Sequence, residues 1–240
     1  AMEAGGTPVT SGSVSTNSID KDKRVLKNIE IYGNNVIDTS VILDKMKMQS
    51  GDVYTRNAVQ ADLKAIYELG FFSEKMKAIP VNNSDGTVTL KIMLEENAPV
   101  TDFTIEGNTV VSTDEVLSYL MPMKGKPQNI AEINEAIAKI QECYSSKGYI
   151  LARIDSVSDD PDGTVNISIK EGLIDKIMIA GNEKTKDYVI ERNILTEPGM
   201  VYNENLLKQD LVRLYATQAF KDVTREIEPT ENPDIYNITI

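Results

Sequence analysis

The 240-residue chain contains no histidine and one cysteine, Cys143. Without histidine it can form neither a Ser-His nor a Cys-His nucleophile pair, and it lacks the commonest transition-metal ligand. No neighbouring histidine can activate the Cys143 thiol, which adjoins Tyr144 at a position that helical spacing directs toward a core. We therefore interpret Cys143 as a packing residue, predict no catalytic residue, and do not expect an enzyme.

Acidic residues are the other candidates for chemistry. The segment Asp159-Asp160-Pro161-Asp162-Gly163 has some features of a calcium loop, but no glutamate closes it at the required spacing. Its composition is typical of a hairpin turn. Glu95-Glu96 and the acidic residues of the second helices described below are interpreted as solvated faces. We predict no metal site and no cofactor.

The charge balance limits the partners. With 25 basic and 37 acidic residues, the net charge is −12. Nucleic-acid affinity comes largely from Lys and Arg beside phosphates, so we exclude DNA and RNA as partners. An acidic surface favours solubility, or basic stretches on a partner protein.

Two sequence landmarks recur three times, at intervals of 74 residues. The first is Ile29–Asn34, repeated as Phe103–Asn108 and Ile177–Asn182; the second is Gly51–Tyr54, repeated as Gly125–Gln128 and Gly199–Tyr202. Because both landmarks stay in step, the chain is a tandem of one module. The period is longer than that of a solenoid, so each module is expected to bury its own core.

The repeat sets the predicted boundaries. Residues 1–23, rich in Gly, Ser and Thr, are predicted to be a flexible leader. The modules are predicted at 24–97, 98–172 and 173–240. The third reaches only Ile240, the counterpart of Ile92, so its last strand is expected to be truncated and the chain to be part of a longer protein.

Each module is predicted to follow the order β-α-α-β-β, as three strands in a mixed sheet covered on one face by two helices. The fold class is therefore α+β. Gly33, Gly107 and Gly181 end the first strands, where we expect positive φ. Helical spacing places Ile130, Ile133, Ile137, Ile140 and Tyr144 on one buried face of the second module's long helix. Tyr67, Tyr144 and Tyr215 are predicted to pack in the cores.

Short motifs connect this module to a known family. Tyr67-Glu-Leu-Gly70-Phe71-Phe72 and Tyr144-Ser-Ser-Lys-Gly148-Tyr149, with the Ile-x-Gly-Asn ends of the first strands, resemble the POTRA domains of BamA-family outer-membrane protein assembly factors. The resemblance covers about residues 24–240. It departs at Gln218-Ala219, where the family usually has glycine and an aromatic residue.

The resemblance implies a periplasmic binding and scaffolding arm at the bacterial outer membrane. Such an arm receives unfolded outer-membrane protein precursors and docks periplasmic chaperones or accessory lipoproteins. A transmembrane β-barrel of the same protein, absent from this chain, is the further partner implied. A TamA-like translocation factor and a non-transport envelope scaffold built from the same modules remain alternatives.

The predicted topology also suggests a binding site. If the last strand of each module is central, the strand before it has a free edge, which can capture an extended peptide by β-augmentation. Pro80 and Pro229 interrupt this strand in the first and third modules, whereas residues 149–160 contain no proline. The predicted peptide-binding edge is Arg153, Ile154, Asp155, Ser156 and Val157. An edge merely shielded by charge is the alternative.

Asn97, Pro99 and Gly172 are predicted as hinge residues between modules. Proline restricts the residue before it, whereas glycine increases backbone freedom. We therefore expect greater angular variation at the second joint than at the first.

Overall fold

The computed structural model describes residues 24–240, and the predicted leader lies outside them. Within this range the chain forms three three-stranded sheets, each accompanied by two α-helices. The predicted α+β class and three βααββ repeats with mixed sheets are confirmed. By compactness the chain divides into two units: one contains residues up to Ala98 with Lys126–Asn129, the other Pro99–Gly125 with Ile130–Ile240.

The elements follow the predicted order in every repeat. The first repeat contains β1 (Leu26–Tyr32), α1 (Thr39–Leu43), α2 (Arg56–Glu68), β2 (Lys77–Asn82) and β3 (Val88–Met93). The second contains β4 (Asp102–Glu106), α3 (Thr113–Leu120), a 3-10 turn (Met121–Met123), α4 (Ile130–Ser146), β5 (Arg153–Asp159) and β6 (Thr164–Lys170). The third contains β7 (Leu173–Met178), α5 (Asp187–Glu191), α6 (Glu204–Ala216), β8 (Glu226–Pro229) and β9 (Ile235–Thr239).

The last strand of each repeat is the central strand of its sheet. It runs parallel to the first strand and antiparallel to the preceding one. In β6, Val165, Ile167 and Ile169 are buried and alternate with half-buried polar residues. The helices pack on the apolar face, and the opposite face of the second sheet carries hydroxyl and amide side chains.

Close backbone contacts explain two of the three glycines that end the first strands, Gly33 and Gly107. Gly33 and Gly107 have φ values of 91° and 88°. A Cβ atom at Gly33 would lie 1.8 Å from the Leu94 carbonyl oxygen, and one at Gly107 2.0 Å from that of Ile169. Gly181 also has positive φ, 79°, so the predicted conformation is confirmed at all three positions.

The long helix of the second repeat carries an insertion. Helix α4 has 17 residues, whereas α2 and α6 have 13 each. The four extra residues make about one helical turn, so the buried face is retained while its residues shift along the sequence.

The shift changes which tyrosines are equivalent. Counted from the helix ends, buried Tyr144 matches buried Ile66 and Leu214. The other two tyrosines lie one position later and face outward: Tyr67 is 45% exposed and Tyr215 59%. The prediction that Tyr67 and Tyr215 pack in the cores is therefore wrong.

The buried stripe of α4 also differs from the predicted one. Ile140 and Tyr144 are buried and Ile133 packs against the core, as predicted. Ile130, however, is 76% exposed because it is the first residue of the helix and lies beyond the end of the stripe. The smaller side chains of Ala136 and Cys143 complete the buried face.

Two aspartates on the second helices are buried, contrary to the predicted solvated faces. Asp62 on α2 accepts hydrogen bonds from the backbone N–H groups of Lys47 (2.9 Å) and Met48 (3.0 Å). Asp210 on α6 accepts the equivalent bonds from Leu195 and Thr196. The carboxylates satisfy donors in the chain that returns from the first helix, and a donor buried without a partner costs stability.

Glu96 and Glu171 do the same for the loop after the first strand. Glu171, 6% exposed, accepts from the backbone N–H groups of Thr109 (2.8 Å) and Val110 (3.1 Å) and from the Tyr144 hydroxyl (2.8 Å). Burial and this bond raise the pKa of Tyr144, which keeps the phenol protonated as a donor. In the first repeat Glu96 binds the N–H groups of residues 35–37. Glu96 is therefore not part of a solvated face.

We predict that Asp62→Ala destabilises the first repeat, because it leaves two backbone donors without their partner. The expected loss is about 2–3 kcal/mol in the free energy of unfolding, measured by urea unfolding followed by circular dichroism. Glu68→Ala removes the same charge from an exposed position on the same helix, and we expect it to change the free energy by less than about 0.5 kcal/mol. Equal effects of the two substitutions would contradict the assigned role of Asp62.

Candidate functional site: the edge strand of the second sheet

The predicted edge residues lie together on one strand. Arg153, Ile154, Asp155, Ser156 and Val157 all belong to β5, which is an outer strand of its sheet, with order β4-β6-β5. One side of this strand therefore pairs with β6, and its other side pairs with no strand among the described residues. Peptide binding there stays a prediction.

The pairing of β5 with β6 is interrupted once. Ile154 lies opposite Ile169 and Ser156 opposite Ser168, so Asp155 is an extra residue in the ladder. Such a bulge bends an edge strand and increases its twist. Ile154 packs against the core, and the Asp155 side chain is exposed, as the alternation predicts.

The hairpin register shows which backbone donors of β5 are free. The Asp160 N–H group donates to the Thr164 carbonyl oxygen at 2.8 Å, so Asp160 and Thr164 form a hydrogen-bonded pair of the ladder. Bonded and non-bonded pairs alternate along an antiparallel ladder, so the N–H groups of Asp159 and Val157 point away from β6. The segment 156–159 therefore offers an incoming strand two outward donors.

The other two sheets have less open edges. In β2, Pro80 lies opposite Leu90, and β8 ends at Pro229 opposite Tyr236. Proline has no N–H group to donate. Strand β5 contains no proline and presents Val157, which is 40% exposed.

A polar depression lies on the outer face of the second sheet, beside the free edge. Its volume is about 260 Å³ and its lining includes Thr104, Ser156, Ser158, Asn166 and Ser168. These short side chains leave the backbone of the edge accessible from that face.

Ion pairs surround Arg153 at the N-terminal end of β5. Arg153 pairs with Asp155 on its own strand, at 3.1 Å, and with Asp234 of the third repeat. Lys170, opposite Arg153 in the ladder, lies 3.7 Å from the same Asp234 carboxylate. Sequence reasoning missed Lys170 and Asp234, since no spacing pattern connects a turn in one repeat with a strand in another.

The joint after the second repeat is closely packed. Gly172 has a φ of 89°, and a Cβ atom there would lie 2.6 Å from the Leu151 Cβ. Across this joint Glu204 N donates to Gly148 O at 2.8 Å, and the Asn203 side chain to Lys147 O at 3.1 Å. These contacts connect the second and third repeats on both sides of Gly172. The greater angular variation expected at this joint stays a prediction.

The residues predicted at the first joint lie in different compact units, Asn97 in the first and Pro99 in the second. Within the first unit the Asn97 side chain donates to the carbonyl oxygens of Gly70 (3.0 Å) and Gln128 (2.8 Å). The hinge role of Asn97 and Pro99 stays a prediction.

Cys143 lies in the core of the second repeat. It is 8% exposed, and its Sγ lies 3.2 Å from Glu115 Oε1. Burial, followed by the hydrogen bond to Glu115, raises the pKa of the thiol. Such a thiol has little thiolate at neutral pH and is a poor nucleophile.

The calcium-like segment forms the hairpin turn between β5 and β6. Gly163 N donates to Asp160 O at 2.9 Å, and the Thr164 N–H lowers the pKa of Asp162. Residues 24–240 contain no group of three His, Cys, Asp or Glu side chains placed to hold a metal ion. No helix in the same range is long and apolar enough to cross a membrane.

Family comparisons agree with the repeat. Residues 98–172 match the family model "POTRA domain, ShlB-type", and residues 25–97 and 173–240 match the POTRA model described as "Surface antigen variable number repeat". Together the matches cover nearly all of the described chain. They confirm the resemblance to tandem POTRA modules.

Two curated relatives of this chain are outer membrane protein assembly factors. The chain is 26% identical over 207 residues to outer membrane protein assembly factor BamA of Nitratidesulfovibrio vulgaris, covering 80% of this chain and 26% of the relative. It is 22% identical to a putative outer membrane protein assembly factor of Treponema pallidum, and the match covers 90% of this chain and 29% of that relative. The chain thus spans about a quarter of the length of these relatives. The N-terminal domain of Omp85 from Thermosynechococcus elongatus superposes with a TM-score of 0.68 at 28% identity, covering 90% of this chain and 97% of that one.

We predict that Cys143 is nearly unreactive in the folded protein, because burial raises its pKa and blocks access. Its alkylation by iodoacetamide at pH 8, followed by mass spectrometry, should be at least about tenfold slower than in urea. The control is Cys143→Ser combined with Ser145→Cys, which moves the thiol to an exposed position on the same helix. Equal rates for the two folded proteins would contradict the buried assignment.

Proposed function

Because the chain belongs to the POTRA domain family, we propose that it forms the periplasmic arm of a BamA-like outer-membrane protein assembly factor. The arm receives unfolded outer-membrane protein precursors on strand β5. The observation that carries this proposal is the proline-free edge of the second sheet, with the outward N–H groups of Val157 and Asp159.

Binding by strand addition suits clients of many sequences. Affinity then comes from main-chain hydrogen bonds, which every non-proline residue can form, and side chains contribute at alternate positions only. The small hydroxyl side chains of Ser156 and Ser158 make few steric demands on an incoming strand. A net charge of −12 further favours segments that carry basic residues.

The remaining surfaces serve as a scaffold in this proposal. Periplasmic chaperones or accessory lipoproteins dock on the repeats, and the β-barrel of the same protein is the membrane partner. Exposed aromatic side chains outside the cores, Tyr67, Tyr188 and Tyr215, are suitable contact residues, because tyrosine combines a large apolar surface with a polar end.

We predict that Val157→Pro weakens strand addition, because it removes one outward donor and leaves the inward bonds to β6 intact. The probe is a fluorescent ten-residue peptide copied from a transmembrane strand of an outer-membrane protein, and its affinity is measured by anisotropy. We expect about tenfold weaker binding, the value of roughly one hydrogen bond.

Val157→Ala is the matched control, since it shortens the same side chain but keeps the N–H group. It should bind within about twofold of the parent. A proline at Asp155 would be unsuitable, because this residue lies at the bulge and the substitution would disturb strand pairing as well as binding. If folded Val157→Pro, checked by circular dichroism, binds as well as Val157→Ala, the edge of β5 is not the receiving site.

A further inference from the structure

Two cationic side chains at one end of the free β5 edge share a single carboxylate. Arg153 is the first residue of β5 and Lys170 the last of β6, and the two lie opposite each other in the ladder. Opposite residues share a face of the sheet, here the outer one, because the neighbouring pair Ile154 and Ile169 faces the core. Both cations approach the Asp234 carboxylate, Arg153 at Oδ1 and Lys170 at Oδ2.

The Asp234 carboxylate is held in place by its own turn. Its backbone N–H donates to Asn232 Oδ1 at 3.1 Å, and its carbonyl oxygen accepts from Leu173 N at 3.2 Å. The Thr230 hydroxyl donates to Ile235 O at 2.7 Å across the same turn. With only 23% of its side chain exposed, Asp234 occupies the space in front of the two cations.

The direction of strand addition brings another carboxylate to this position. A strand added antiparallel to β5 runs from Asp159 toward Arg153, so its C-terminal end lies beside Arg153. The C-terminal carboxylate of such a strand, or an acidic side chain near that end, would lie beside the Arg153 guanidinium and the Lys170 ammonium group, which now pair with Asp234. Guanidinium groups bind carboxylates in a directed, charge-assisted geometry.

We infer that Arg153 and Lys170 form a carboxylate receptor at the end of the β5 edge, and that Asp234 occupies it as an internal competitor. The inference rests on the proposed function of this edge. It names the preferred client as an extended segment with a carboxylate at its C-terminal end. Asp155 keeps its own bond to Arg153 Nη1, so the client displaces Asp234 alone.

The test compares two forms of one peptide, the fluorescent probe described above with a free C-terminal carboxylate or with a C-terminal amide. Asp234→Asn removes the internal charge and keeps the shape. We expect it to bind the free-acid peptide about fivefold more tightly than the parent does, the value of a partly exposed ion pair. Affinity for the amidated peptide should change by less than about twofold.

Two further variants define the controls. Glu231→Gln removes the same charge from an exposed residue of the same turn and should match the parent with both peptides. Arg153→Gln should abolish the preference for the free acid. Thermal unfolding by circular dichroism confirms that each variant is folded.

The outcomes separate the two proposals. If the parent binds both peptides but Asp234→Asn shows no gain for the free acid, the receptor is wrong and strand addition at β5 stands. If Asp234→Asn improves both peptides equally, Asp234 obstructs the edge without competing for a carboxylate site, and the receptor is again overturned. If neither peptide binds the parent or the variant, the proposed function of the edge fails as well.

Discussion

The structure depends on how each repeat is closed by its last strand. That strand enters the middle of the sheet beside the first strand, and in the first two repeats the residue after the first strand lies against its backbone. Gly107 makes this possible, since any Cβ would meet the Ile169 carbonyl oxygen. Two residues further along, the buried Glu171 carboxylate binds the loop that follows Gly107. The next residue, Gly172, already begins the joint. Closure of the second repeat and the starting direction of the third are thus fixed within four consecutive residues.

The same topology creates the candidate site. When the last strand of a repeat is central, the strand before it must lie at an edge, and every repeat therefore presents one hairpin strand to solvent. An unpaired edge tends to recruit further strands unless something blunts it. Pro80 and Pro229 blunt the first and third edges, and a bulge and a cluster of charges modify the second. The free edges follow from the fold, and the choice of β5 in the proposed function follows from a few side chains.

The acidic composition has a structural as well as a surface role. Asp62, Asp210, Glu96 and Glu171 each bind backbone N–H groups inside a repeat. A carboxylate offers several acceptor sites on a short side chain, and bonds to a charged acceptor are stronger than neutral ones. These four residues therefore organise the loops that follow the first strand and the first helix of a repeat. Part of the negative charge of the chain is a requirement of folding and is not available to partners.

The sequence by itself determined the repeats, the strand and helix order, the positive φ of three glycines and the edge that lacks proline. Each of these follows from local patterns: spacing along the chain, turn composition or the absence of a Cβ atom. Tertiary structure decided the rest. Tyr67 and Tyr215 face solvent because each lies one position past the buried residue of its helix, Ile66 or Leu214. The extra turn in α4 makes Tyr144 equivalent to those buried neighbours, a shift that sequence alignment at a constant offset does not register. The pairing of Arg153 with Asp234 joins residues 81 positions apart. Only the path of the backbone across a joint brings such residues together, and no periodicity in the sequence encodes that path.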